Sequence, residues 1–586
     1  MSGMHSDNYE LARSSAPQSI KDYSAFTDKQ WNYKNDSSGG VYQTQNASVE
    51  FDLSSIYQSD GYTDVSDMYM VIPLVMVAAS TNAAGTTFYA PPTAGYSLCT
   101  LKNNFQNLIH SMELVLNGKT IHDHQAFLNV YANFKMLSSM SPSDLKSNNT
   151  NFGMASELDN HRSMRFRATT PTDASTTGGY GIFNNSPVQT TASFLQTVAQ
   201  NSGKGNDALL QRINRVVDTT ANSTFNNLFG TSRIMSVDNL KAELKPFYTT
   251  SGSYMYWFDY GIINLKYIID AIAKIGLVKK ADMRLRMYVN VGAVQITINT
   301  PDAGTTTYKS FTTSFSNTCP FTVNHIFGDD AAGGFSDAGA VLLTAGLYIA
   351  KPPSSFSAGG VSVAITSQIN SPMSACQLYY SNVKLDLTSE SEYINANRAK
   401  QIIYEKIYFA SVSNIAPTGL VDKTITSSIT NPIGLVIVPF VSKSGNTGSL
   451  SAGALGFAQY ESPWDTAPST SAPISLTNLS VSLGGKKVAN EVLNYTFENF
   501  LHQVSLAETI ASSDIGLNVG LVNQEYWESN RVYYMDLVRS REVDKDTPRE
   551  LTFKCTNNSL VPIDVLIFAV YLDKFSIDVV SGAIVA

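Results

Sequence analysis

Charge is scarce in this chain. Asp, Glu, Lys and Arg make up 15% of its 586 residues, against roughly 25% in an average soluble protein. Ser, Thr, Asn and Gly take their place, giving a polar, weakly charged surface suited to packing against copies of itself, since like-charged walls repel. The 40 basic and 48 acidic residues leave a net charge of −8 and form no Arg/Lys-rich tail. No strong direct binding to nucleic acid is therefore expected, because such binding draws on neutralised phosphates. Cysteine is also rare: Cys99, Cys319, Cys376 and Cys555 lie far apart with no CxxC pair. That excludes a disulfide scaffold and a cysteine zinc site, and suits reduced, buried thiols in a protein made inside a cell. Long apolar runs are missing too. The longest, Met70–Ala79, falls short of the roughly 20 residues of a membrane helix, and Met1–Ile20 carries no apolar core of a secretory leader, so synthesis without a signal peptide is expected.

What is present is hydrophobic enough, at 43%, to bury full cores and exclude global disorder. The length allows about three to five ordinary domains, fewer if they are large sandwiches. Short runs rich in Val, Ile, Tyr, Phe and Thr, such as Tyr69–Val77, Ser111–Leu116, Met283–Val291, Gly434–Val441, Leu479–Leu483, Leu551–Cys555 and Asp564–Tyr571, are parted by Gly, Asn, Ser and Pro. Spaced strands with polar turns and little helical periodicity indicate an antiparallel sandwich or jelly roll.

The chain also resembles itself. Ser111–Lys119 (SMELVLNGK) is echoed by Asn478–Lys486 (NLSVSLGGK): an alternating strand enters Asn117-Gly118 in one case and Gly484-Gly485 in the other. Both pairs suit the positive φ angles of a primed hairpin turn. Phe127, Tyr131 and Phe134 then recur as Leu493, Phe497 and Phe500, with Asn133 as Asn499, all 366 residues apart. The spacing i, i+4, i+7 predicts a short helix whose apolar face plugs the end of a sandwich, with Asp123 and Asn490 as its N-caps. Val71–Val77 matches Pro432–Val438, and Tyr256–Tyr260, Arg284–Tyr288 and Gln377–Tyr380 find looser echoes at Val532–Asp536, Glu550–Lys554 and Leu566–Ala569. Several matches in one order indicate one fold written twice.

The anchors are farther apart in the first copy, which places long insertions near 138–245 and 297–372, rich in Ser, Thr, Asn, Ala and Gly and expected to project as an exposed crown. The reading along the chain is an N-terminal arm over 1–47, a first unit over 48–388, a connecting helix over 389–401 opened by the capping-box pair Ser389 and Glu392, and a second unit over 402–586.

Motifs with possible chemistry are weak. Gly118-Lys119-Thr120 ends like a phosphate-binding loop, but Glu113 stands where the first glycine belongs, so a hairpin turn is favoured. His122-Asp123-His124 has no third ligand nearby for a metal. His161–Arg167 is the strongest basic stretch and reads as a solvated strand or subunit contact; Arg284 and Arg286 alternate outward from Leu285 and Met287. Asp329-Asp330 and Asp544 with Asp546 sit among turn residues, and Asp536 reads as an ion-pair partner of Arg531 and Arg539. Trp257 and Trp527 read as core or interface anchors rather than a sugar platform. No catalytic, cofactor or metal site is assigned, and the chain is expected not to be an enzyme.

The segments Asn107–Lys119, Ala126–Lys135, Ser428–Phe440, Trp527–Asp536 and Val565–Gly582 resemble the double jelly-roll major capsid proteins of polinton-like viruses and virophages, in the lineage of adenovirus-type hexons. The resemblance implies an all-β chain of two tandem eight-stranded jelly rolls. It further implies a homotrimer forming a pseudo-hexameric capsomer in the icosahedral capsid of a virion. The partners would be copies of itself, penton and minor capsid proteins, and an internal membrane or genome-packaging proteins. The alternative is a glycan-binding β-sandwich adhesin or receptor-binding protein.

Overall fold

The computed structural model describes residues 26–42, 47–54, 61–82, 88–89, 97–102, 104–154, 249–251, 254–299, 310–314, 319–325, 340–358, 360–442, 464, 474–491, 495–505, 519–538, 547–559 and 562–585. The chain is all-β in character. The first unit is built from β1 (Phe26–Asn35), β2 (Ala47–Asp52), β3 (Tyr62–Asn82), β4 (Ile109–Leu116), β5 (Lys119–His122), helices α1 (Leu128–Ser139) and α2 (Pro142–Phe152), β6 (Tyr254–Asn264), α3 (Asp270–Ile275), β7 (Met283–Val289), β8 (Gly292–Asn299), β9 (Ala340–Ile349) and β10 (Gln377–Leu385). Helix α4 (Leu387–Asn397) leads to the second unit: β11 (Lys400–Ile415), β12 (Leu420–Ile429), β13 (Pro432–Val441), β14 (Leu476–Leu483), β15 (Lys486–Glu491), α5 (Phe497–Ser505), α6 (Gln524–Ser529), β16 (Tyr533–Asp536), β17 (Arg549–Asn557) and β18 (Ile563–Ile577).

Both units pair their strands in one pattern, antiparallel throughout. In the second, β11-β18-β13-β16 faces β12-β17-β14-β15; in the first, β1-β10-β3-β6 faces β2-β7-β4-β5. Leaving out β8 and β9 of the first unit, and reading each unit's remaining strands in chain order as first to eighth, the sheets run 1-8-3-6 and 2-7-4-5. This is jelly-roll winding, used twice. The self-similar segments fall on corresponding strands: β4–β5 with β14–β15, β3 with β13, β6 with β16, β7 with β17 and β10 with β18. The turns behave as their residues dictate, with φ of 47° and 77° at Asn117 and Gly118 and 58° and 77° at Gly484 and Gly485, the positive pair of a type I′ hairpin. Strand β7 alternates as written: Met283, Leu285, Met287 and Val289 enter the core while Arg284, Arg286 and Tyr288 face out.

Several expectations are corrected. Residues 26–35, placed in the N-terminal arm rather than in the first unit, form β1, which pairs with β10 from Phe26↔Leu385 to Asn35↔Gln377. The connecting helix begins at Leu387, capped by Asp386, whose carboxylate accepts from the Ser389 amide at 2.7 Å; Ser389 is inside the helix. The N-cap of α1 is Phe127 at φ 56°, with no side-chain cap, and Asn490 lies within β15 rather than capping α5. The second insertion is partly sheet. β3 is 21 residues long, roughly 65–70 Å at about 3.3 Å per residue; β10 pairs with it from Tyr62 to Val71, and β9 takes over the same edge from Leu74 to Asn82. β8 and Ser310–Ser314 extend that upper sheet. The hairpin Ser355–Ala358/Val361–Ala364 places Phe356, Val361 and Val363 over Val75 and Val77. Most of the first insertion, and the crown placement, lie outside the described residues.

The two units share one contiguous apolar cluster that runs from Ala47 to Ile577. Among the described residues no helix is long and apolar enough to cross a membrane.

Candidate assembly surfaces

The junction between the rolls is built on α1. A chain of buried amides seats this helix on its own roll: Asn104 donates to Asn133 at 2.6 Å, Asn133 to Asn107 at 2.7 Å, and Asn290 to the Asn107 carbonyl at 2.9 Å. The aromatic face so fixed reaches beyond its own roll. It packs on the second roll's β11-β18-β13-β16 sheet. Phe127 meets Phe409 at 5.3 Å between ring centroids, Tyr131 meets Phe568 at 5.8 Å, and Phe134 stacks on Tyr534 at 6.0 Å and 18°. The i, i+4, i+7 spacing was legible; what it covers was not.

A charged cluster seals the contact. Lys135 pairs with Glu405, whose side chain is only 3% exposed, and the Tyr131 hydroxyl donates to the same carboxylate at 3.4 Å. The Glu405 amide donates to Asp270 at 2.9 Å, and Asp270 pairs with Lys274 at 2.7 Å. Burial alone would discharge Lys135 and Asp270. Burial pushes the Lys135 pKa down, but Glu405 and Asp270 outweigh it and hold it above its ordinary value. For Asp270 burial pushes up, and Lys135 and Lys274 together hold the carboxyl below the usual range. Nearby, Lys406 bridges Asp123 and Asp573 at 3.5 and 3.4 Å, so Asp123 serves the junction rather than a helix cap.

The tail and α4 add further ties. Lys279 donates its amide to Val579 at 2.9 Å, and Asn117 hydrogen-bonds the Gly582 carbonyl. Tyr393 donates to Leu277 at 2.7 Å, and Glu390 receives Tyr62 and Lys279 at 3.1 and 3.3 Å.

Among the described residues, the corresponding sheet of the first roll is uncovered over its lower half. Its core side carries Met68, Met70, Leu378 and Tyr380. Its outer side carries Trp31 and Tyr33, 50% and 57% exposed, beside the half-buried Tyr69, Val71, Ile262 and Tyr379. Tyr69 and Tyr379 stack at 4.9 Å and 2°, Tyr33 lies 5.7 Å from Tyr379, and Trp31 lies 5.8 Å from Tyr69. Lys29 closes the rim, 3.0 Å from Asp67 and 5.5 Å above Trp31.

The residues weighed for chemistry disperse. Lys119 leaves the type I′ turn into β5. His122 is buried, which drops its pKa to about 4, while His124 turns to Glu113 at 3.4 Å; among the described residues no three His, Cys, Asp or Glu gather as metal ligands. Arg286 pairs with Glu50 at 3.2 Å. Trp257 lies edge-on to Phe321, and the Trp527 indole, 2% exposed, donates to the Val532 carbonyl at 2.7 Å. Arg531 lies over Trp527 at 4.8 Å. His161–Arg167, Asp329-Asp330, Arg539, Asp544 and Asp546 lie outside the described residues. Cys319, Cys376 and Cys555 are buried thiols, and burial raises all three pKa values.

No family model and no curated protein matches the sequence. Among solved structures the chain is similar to that of the Sputnik virophage determined by cryo-electron microscopy (TM-score 0.46, 9% identity, 96% of this chain and 89% of that one). It is also similar to the mavirus major capsid protein (TM-score 0.42, 8% identity, 98% and 93%) and the Faustovirus major capsid protein (TM-score 0.40, 10% identity, 97% and 93%).

Proposed function

We propose that this chain is a major capsid protein, a structural rather than catalytic molecule, that self-assembles as homotrimers into an icosahedral viral shell. One observation carries the reading. A single polypeptide holds two jelly rolls of identical winding side by side and locks their relative placement with the aromatic and charged contact of α1 on β11 and β18. Two rolls fixed in this way make a two-position building block, and three such blocks supply the six near-equivalent positions of a hexagonal tile. The weakly charged surface suits tight lattice contacts. Penton and minor capsid proteins would fill the vertices and gaps. Genome packaging falls to other proteins or an internal membrane, in keeping with the net charge of −8. The insertions near 138–245 and 297–372 form the outward crown in this reading.

The test is native mass measurement with electron microscopy of the purified protein. Trimers with hexagonal outlines that tile into sheets or cages are expected, with no salt-sensitive DNA retention. Monomers that bind glycans would establish the adhesin alternative instead.

A further inference from the structure

The duplicated fold uses one contact once and leaves half of it over at each end. Inside the chain, the helix after the fifth strand of roll one (α1) covers the outer face of the 1-8-3-6 sheet of roll two (β11-β18-β13-β16). The equivalent sheet of roll one, β1-β10-β3-β6, presents Trp31, Tyr33, Tyr69, Tyr379 and Ile262, and among the described residues its cover ends with the hairpin over Val75 and Val77. In the equivalent helix of roll two, α5, Phe500 is buried against Trp527 of its own roll, while Phe497 and Leu501 stay half-buried on the flank. Beside it, Phe497, Trp527, Tyr495 and Arg531 line an open cavity of about 370 Å³.

The covered face of roll two and the open face of roll one match strand for strand. Phe409 and Phe568 pair across β11 and β18 beneath α1, as Tyr33 and Tyr379 pair across β1 and β10 on the open sheet. We infer that α5 of one copy docks on the aromatic β1-β10-β3 face of a second copy, repeating between chains the contact that α1 makes within one. Sheet face and helix are different surfaces, so the association is head-to-tail. It closes into a ring of three chains when each roll-to-roll step is a sixth of a turn. The inference rests on the coat-protein reading and deepens it by naming the surfaces.

Complementation separates the two. Trp31→Asp/Tyr33→Asp removes the sheet surface and Leu501→Asp the helix surface, with unchanged far-ultraviolet spectra and urea midpoints confirming the fold. Each variant alone is expected to stay monomeric at concentrations where the wild type assembles. An equimolar mixture is expected to form heterodimers that grow no further, because only one intact helix can meet one intact sheet. A photoreactive residue at position 33 is expected to cross-link to residues 497–505 of another copy, a readout independent of the charged variants. Variants that assemble like the wild type, a mixture that stays monomeric, or cross-links elsewhere overturn this inference and leave the coat-protein reading standing. A wild type that is monomeric at every concentration overturns both.

Discussion

Lys135 of the first jelly roll and Glu405 of the second form an ion pair across the seam between them, with the carboxylate side chain 3% exposed. A buried carboxylate that loses its cation is left uncompensated, which costs roughly 3–5 kcal/mol, whereas replacing both charges with apolar groups is often neutral. Lys135→Met is therefore expected to destabilise the chain by roughly 3 kcal/mol or more in urea unfolding, while Lys135→Met/Glu405→Leu recovers most of that loss. A single mutant that unfolds at the wild-type midpoint would show that the pair is dispensable to the seam.

Acid should weaken the fold through His122. Its ring is 5% exposed and faces Lys406, Asp123 and His124; burial, then Lys406, lowers its pKa from 6.5 to about 4. The unfolded chain takes up a proton near pH 6.5 that the folded chain refuses until about pH 4, so the unfolded state binds more protons and stability falls with pH across that window. The loss amounts to roughly 3 kcal/mol at about 1.4 kcal/mol per pH unit. Asp270, whose folded pKa is depressed, contributes stability that is present above the ordinary value of 3.8 and lost below it, outside that window. Unfolding free energy measured from pH 7 to 4 should decline in the wild type, and this decline should flatten in His122→Leu.

How legible this was depended on how local the signal is. The Asn117-Gly118 and Gly484-Gly485 turns and the alternation of Met283–Val289 are short-range patterns, and they sit where the residues place them. β1 escaped because its pairing, among the described residues, is on one side only, to β10 some 350 residues away; Lys29, Gln30, Lys34 and Asn35 leave it no apolar face long enough to read. The aromatic stripe of α1 announced a buried face, but spacing along a helix says nothing of which surface covers it. Its target, Phe409 and Phe568 of the other roll, is a tertiary fact.

Thiol chemistry gives a further check. Cys319, Cys376 and Cys555 are buried, and burial pushes the Cys555 thiol up to about 12 and the other two higher still. The thiolate is the reacting species, so these three are expected to resist a thiol reagent at pH 8 until the chain unfolds. No more than the remaining cysteine, Cys99, should label in the native protein. Rapid labelling of two or more thiols without denaturant would contradict the packing around Gly292, Tyr42 and β17.

Two glycines with left-handed backbones separate strain from steric closure. At Gly118, φ +77°, a Cβ methyl would meet nothing within 4 Å, whereas at Gly520, φ +65°, that carbon would lie 2.5 Å from the Leu137 carbonyl oxygen and the Ser138 carbonyl carbon. The Gly520 backbone is held there because the next residue, Leu521, donates its amide to Leu137 at 2.7 Å, tying the second roll to the end of α1. Gly118→Ala carries the backbone penalty alone, about 1 kcal/mol. Gly520→Ala must also push the loop off α1 and should cost clearly more in urea unfolding. Equal costs for the two substitutions would mean that the 519–522 loop yields freely and contributes little to holding the rolls together.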